Sequence, residues 1–376
     1  MLNFRDGYVR RFKVVPMAAA VAAMLSFSSL SHAAVTGECG SCHTMHNSQD
    51  GETMAVGGSN VGWGDVNDAG TPDMEGDSQE TPHQNLLIAG CVGCHSAVTD
   101  DTIVTVGSND IPIVFNTTGY PSEPLAGGNF YHVSQGAAFD GYGHNVYGIS
   151  NPDEVLDEAP GSGIGTCGGS VSCHASLAAS PAEMADAGVN NSNGKGGCQG
   201  CHYEVFHHVD NNNYRFLNGH GDERHVEGIE SSDWEQNPVS TNNNKYKGAT
   251  LAGSLRTNKS MSSYCGGCHA NFHAMDADGV GTTDVWLRHP TDTLLPTEGE
   301  YAAYDPTATY SNFAPVSWVD PSVPARSEAV VMCLSCHRPH GSDQPDMLRW
   351  DYDACTTGTG SAVDCGCFVC HTEKDA

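Results

Sequence analysis

Six pentapeptides concentrate the reactive side chains of this 376-residue chain. They are Cys39-Gly-Ser-Cys42-His43, Cys91-Val-Gly-Cys94-His95, Cys198-Gln-Gly-Cys201-His202, Cys265-Gly-Gly-Cys268-His269, Cys333-Leu-Ser-Cys336-His337 and Cys367-Phe-Val-Cys370-His371. Two residues between the thiols let a single helical turn span the two vinyl groups on one side of a porphyrin. The thiols then add across those vinyls, and the adjacent imidazole lies under the ring as an iron ligand. A lone copy would also suit a zinc knuckle or a redox disulfide. Zinc sites do not need a His directly after the second Cys, and a thioredoxin-like motif occurs once, on an α/β pattern that this chain lacks. Six copies, each followed at once by His, point to covalently bound haem c.

A seventh attachment site is expected at Cys167-Gly-Gly-Ser-Val-Ser-Cys173-His174, where the gap is five residues. Gly168 and Gly169 permit the tight turns a longer loop needs to reach both vinyls. The other reading is a local disulfide, with His174 serving another iron or none. Among the 16 Cys, Cys355 and Cys365 then remain. In an exported chain free thiols do not normally survive, so the simplest partner of each is the other. Cys365 could also compete for a vinyl, because it precedes Cys367 by two residues.

Histidine is in surplus, with 19 in the chain. Candidates for the opposite axial position are His46, His83, His132, His144, His207, His208, His220, His225, His273, His289 and His340, with His83, His225 and His132 the weaker ones. That supply makes bis-His coordination the expectation and Met ligation the poorer one; two imidazoles favour ferric iron and low potentials. His46, His340 and His273 follow their motif His by about one helical turn, and His207 and His208 follow His202 closely. A His there stays on its own proximal side. It cannot reach the far face of that iron, but it can ligate a neighbouring haem or hydrogen-bond a propionate. His144, His220 and His289 sit in loop-like contexts suited to a distal ligand. Fully ligated irons leave no place for substrate, which favours an electron carrier over an enzyme.

The motifs, together with Cys39–Ser48, Gly143–Gly148, Tyr264–His273, Trp286–Asp292 and Met332–Trp350, make the chain resemble the multihaem c-type cytochromes of metal-reducing bacteria. That group includes outer-surface cytochromes that stack into conducting filaments. The resemblance implies low-potential electron transfer, redox partner proteins or extracellular acceptors such as metal oxides, and leaves a homopolymer open. Multihaem nitrite reductases typically carry a Cys-x-x-Cys-Lys site with a free coordination place, and no Cys-Lys dipeptide occurs here. A periplasmic oxidoreductase with one open haem remains the alternative.

The elements that position these groups must be short. Hydrophobic residues are 39% and charged residues 16%, with 44 Gly and 18 Pro, a thin supply for a protein-only core. The fold class expected is a multihaem cytochrome c: mostly coil, short α-helices at the haem motifs, a few short β-strands, and a core built from haem. Thr102–Val106 and Ile111–Phe115 read as a small hairpin around Ser108-Asn109-Asp110. Ser180-Pro181-Ala182-Glu183 reads as a helix start, and 57–84 as an acidic loop. Asp276-Ala-Asp278-Gly279 only faintly suggests calcium.

Residues 1–33 have the basic start, apolar stretch and Ser31-His32-Ala33 ending of a signal peptide, leaving 34–376 as one multihaem domain. No later apolar run approaches a membrane span, so an exported chain, periplasmic or at the cell surface, is expected. The formal charge of -29 argues against nucleic acid, which needs a basic footprint.

Overall fold

The computed structural model describes residues 35–43, 48–49, 52–53, 90–162, 176–179, 196–202, 205, 207–208, 214–218, 225–250, 258–273, 289–358 and 365–374. The signal-peptide segment, Cys167, Cys173, His174, His46, His83, His220, the 57–84 stretch, the helix start at Ser180 and the Asp276 motif lie outside these residues. Within them no helix or strand exceeds six residues, and coil dominates. No helix among the described residues is long and apolar enough to cross a membrane.

Short elements follow from the composition: Gly, Asn and Pro interrupt every apolar run before a helix can repay its nucleation. Side chains therefore bury in four small clusters, not one core. Each cluster abuts a Cys-x-x-Cys-His turn. Cys198 packs on the Val92–Phe115–Phe130 cluster, Cys370 on Leu295–Trp318, and Cys336 and Cys367 on Trp350–Phe368. The cluster holding Tyr214, Tyr246 and Met332 includes Leu334, inside the fifth motif.

One five-stranded sheet gives the C-terminal half its frame. Its order is Gly228–Ile229, Lys245–Lys247, Ser317–Trp318, Ala329–Val331, Thr293–Leu294. The contact between Lys245–Lys247 and Ser317–Trp318 is parallel and the rest are antiparallel. Ser317, Ala329 and Val330 are wholly buried. Val331 runs through Met332 directly into Cys333, so the sheet delivers the fifth motif.

The small hairpin forms, with its register shifted. Ile103–Val106 pairs with Asn109–Pro112, and the turn is Gly107-Ser108. Gly107 takes the positive φ of 64° that such a turn requires. The second strand ends at Pro112, which has no N–H to extend a ladder. Phe115–Asn116 instead pairs in parallel with Ser96–Ala97, immediately after the second motif.

Two buried guanidiniums join distant segments. Arg349 donates to Leu334 O at 2.7 Å, Asn312 O at 3.1 Å and Ala126 O at 3.1 Å. Arg338 donates to Leu125 O at 2.8 Å. Beside them Asn129 N donates to Gly341 O at 3.0 Å. A Cβ on Gly128, whose φ is 82°, would stand 1.9 Å from that same oxygen.

Candidate haem-binding sites

Each described motif is a single turn whose fifth residue reaches back to its first. His43, His202, His269, His337 and His371 donate their amides to the carbonyls of Cys39, Cys198, Cys265, Cys333 and Cys367 at 2.8–3.1 Å. The second motif is itself the helix Cys91–His95. None of the twelve cysteines of these six motifs is in a disulfide, whereas Cys355 and Cys365 are joined to each other.

Five motif imidazoles face a second imidazole. His43 is 6.0 Å from His208, His95 6.3 Å from His207, and His202 6.0 Å from His340, centroid to centroid. His269 is 6.1 Å from His144, and His371 6.2 Å from His289. A metal bound on both sides by nitrogens at about 2.0 Å places the ring centroids roughly 6 Å apart, once the ring radii are added. The interplanar angles run from 18° to 88° while the distance hardly changes. Direct ring packing ties distance to angle. A shared metal axis fixes the distance and leaves rotation about it free.

The ring nitrogens agree with that axis. The Nδ1 atoms of His95, His144, His202, His208, His269, His289 and His337 lie 2.6–3.2 Å from the carbonyl oxygens of Pro112, Pro339, Arg215, Val35, Pro160, Pro290 and Asp346. His371 Nδ1 meets a Glu300 carboxylate oxygen at 3.0 Å. These oxygens only accept, so each Nδ1 carries the proton and each Nε2 keeps its lone pair for a metal. Burial also holds rings in the neutral, ligating form. It pushes His202 and His207 down to about 4 and His340 down to about 3. These residues therefore fit iron porphyrin: paired thiols on a turn, and opposed neutral imidazoles at the spacing one ion demands.

Adjacent motifs lie near one another in chain order. Burial, and then Cys42, raises the pKa of the Cys94 thiol, and Cys198 raises that of Cys91. Tyr264 donates its hydroxyl to Cys201 O. Cys333, burial and Cys201 raise Cys265, and burial, then Cys367 and Cys370, raises Cys336.

His207, His208 and His340 each oppose the imidazole of another motif. His132 is different. Its described ring contacts are with Tyr120, Tyr131, Phe139 and Tyr142, at 5.2–5.7 Å, and not with a motif histidine. His225 lies 3.6 Å from a Glu227 oxygen. His273 ends the helix Ala270–His273, of which only the backbone at that position is described. Sequence reasoning missed the carbonyl acceptors and the two buried arginines. Only the prolines at 112, 160, 290 and 339 offer a signal, and it is weak.

Residues 324–376 match the family described as the doubled CXXCH motif, a span that holds the turns at Cys333 and Cys367. No curated protein matches the chain. Among solved structures the chain is similar to the outer membrane cytochrome S filament from Geobacter sulfurreducens, at 18% identity over 85% of each chain with a TM-score of 0.48. It is likewise similar to the OmcS nanowires from Geobacter sulfurreducens, at 18% identity over 87% of this chain and 86% of that one, with a TM-score of 0.44.

Proposed function

We propose that the chain is a multihaem c-type cytochrome that transfers electrons along a row of covalently attached haems. The observation that carries this reading is the set of five imidazole pairs held 6.0–6.3 Å apart, each on a Cys-x-x-Cys-His turn. When bound, haem c supplies a one-electron ferric/ferrous couple at each motif.

The chain's own residues do the rest. Paired cysteines would fix each ring to its turn, and at five motifs an opposed pair of imidazoles would hold the iron and leave no coordination place there for a substrate. Carbonyls on Nδ1 would raise the donor strength of the imidazoles and hold the potentials low. Thiols of successive motifs lie near enough to perturb one another, which would bring successive attachment edges together. Cys167, Cys173 and His174 are proposed to hold a seventh haem. The second ligand opposite His337 is drawn from His46, His220 or His273. Residues 1–33 direct export, and the mature chain works in the periplasm or at the cell surface.

The test is spectroscopic. Purified protein should give a c-type Soret band and low-spin ferric EPR signals from nearly all of its iron. Intact mass should show six or seven attached haems. Iron that is mostly high-spin in the oxidised protein would overturn the electron-carrier reading in favour of an open-site oxidoreductase.

A further inference from the structure

The last two motifs share a cluster with a group the electron-transfer reading does not use. Cys355 and Cys365 form a disulfide. It belongs to a cluster with Trp350 and Phe368 against which Cys336 of the fifth motif and Cys367 of the sixth also pack. The Sγ atoms of Cys355, Cys365 and Cys367 all lie within 4.8 Å of one another. Cys365 is 1% exposed, whereas Cys355 is half-buried. Gly366 is pressed so closely under the Trp350 ring that a Cβ there would stand 2.3 Å from it. That contact keeps the backbone between Cys365 and Cys367 in place.

We propose that Cys355–Cys365 is a two-electron redox site coupled to the final pair of haems. The inference rests on the haem reading of the Cys333 and Cys367 motifs. On that reading Cys367 would carry its porphyrin through a thioether, with its sulfur within 4.8 Å of both disulfide sulfurs. Cleaving a disulfide with single electrons passes through a costly half-reduced state unless a second electron is close at hand. Two motifs abutting one disulfide supply that condition, because each delivers one electron. The balance is Cys–S–S–Cys plus two electrons plus two protons giving two Cys–SH. The S–S bond breaks, both electrons come from the ferrous irons of the two motifs, and the protons enter from solvent on the Cys355 side. The reverse reaction returns two electrons to the row as the bond re-forms. The end of a one-electron conductor thereby stores electrons in pairs.

The test uses the purified holoprotein under anaerobic conditions, with reduced methyl viologen as a one-electron donor. Full reduction should consume two electrons more than the iron count. Iodoacetamide added at that point should label Cys355 and Cys365, and neither should be labelled in the oxidised protein. The variant C355S/C365S, at unchanged iron content, should consume one electron per iron and no more. Equal uptake by both proteins, with no labelling while every iron is ferrous, would overturn the proposal. So would a peptide map that finds porphyrin on Cys365 in place of Cys367. Failure of the underlying reading would look different, as a preparation without stoichiometric haem absorbance.

Discussion

The first and fifth motifs carry the same pentapeptide pattern and are built into the molecule in opposite ways. Cys39–Ser41 is a short turn with no buried residue, and Cys39 is exposed. It is held by the His43–His208 pair and a few hydrogen bonds, among them Val35 N to His207 O at 2.7 Å and His208 Nδ1 to Val35 O at 2.9 Å. Cys333–Ser335 has Met332, Leu334 and Ser335 buried around it. Ser335 Oγ donates to Pro315 O at 2.6 Å, Ser262 Oγ accepts from Cys333 N at 3.3 Å, and Arg349 caps Leu334 O. Protein packing sets the fifth turn in place, whereas the first has no buried residue to seat it. One chemical motif can thus be a foundation at one place and an attachment at another.

The sharpest way to break this contrast is to remove each thiol pair in turn. C333S/C336S should yield no soluble holoprotein, because the buried Met332 and Leu334 and the Trp350–Phe368 cluster on Cys336 would lose the attached haem they are proposed to pack on. C39S/C42S should yield folded protein whose intact mass is lower by one haem. Equal yields would erase the distinction. A smaller effect is expected for Arg349→Ala, which leaves buried carbonyls of Leu334, Asn312 and Ala126 without a donor. A loss of about 2–4 kcal/mol should appear in denaturant unfolding followed by far-UV circular dichroism. Next comes Gly128→Ala, which forces a Cβ against Gly341 O in a left-handed conformation. It should cost roughly 1–3 kcal/mol by the same measurement. The mildest is His208→Ala, which should convert one iron to high spin in the EPR spectrum and change global stability by less than about 1 kcal/mol. A collapse of the whole fold in His208→Ala would show that the first motif is as deeply embedded as the fifth.

The chemistry was far more legible in the sequence than the architecture. The spacing of Cys and His dictates the one-turn motif, because covalent geometry allows little else. The place of His340, one turn after His337, and of His207 and His208, close after His202, suits service at a neighbouring motif, and their rings lie opposite imidazoles of other motifs. Which imidazole meets which depends on contacts between residues far apart in the chain, such as His144 with His269, and no local pattern encodes them. The five-stranded sheet was also invisible, since strands of two or three residues show no alternation to read. The hairpin was found, but its register followed Gly107 and Pro112 and not the more obvious Ser-Asn-Asp turn. Glu235, wholly buried and accepting from Asn244 N at 2.8 Å, reads in sequence as an ordinary surface acid.

The pairing of His43 with His208 and of His95 with His207 bears on how the molecule is born. A ribosome releases His43 and His95 long before His207 and His208 exist. On the proposed function the first two metal centres would each have one imidazole until the middle of the chain has been delivered. His202 would wait again for His340. A chain truncated before residue 207 would then leave its first centres open to small ligands such as carbon monoxide.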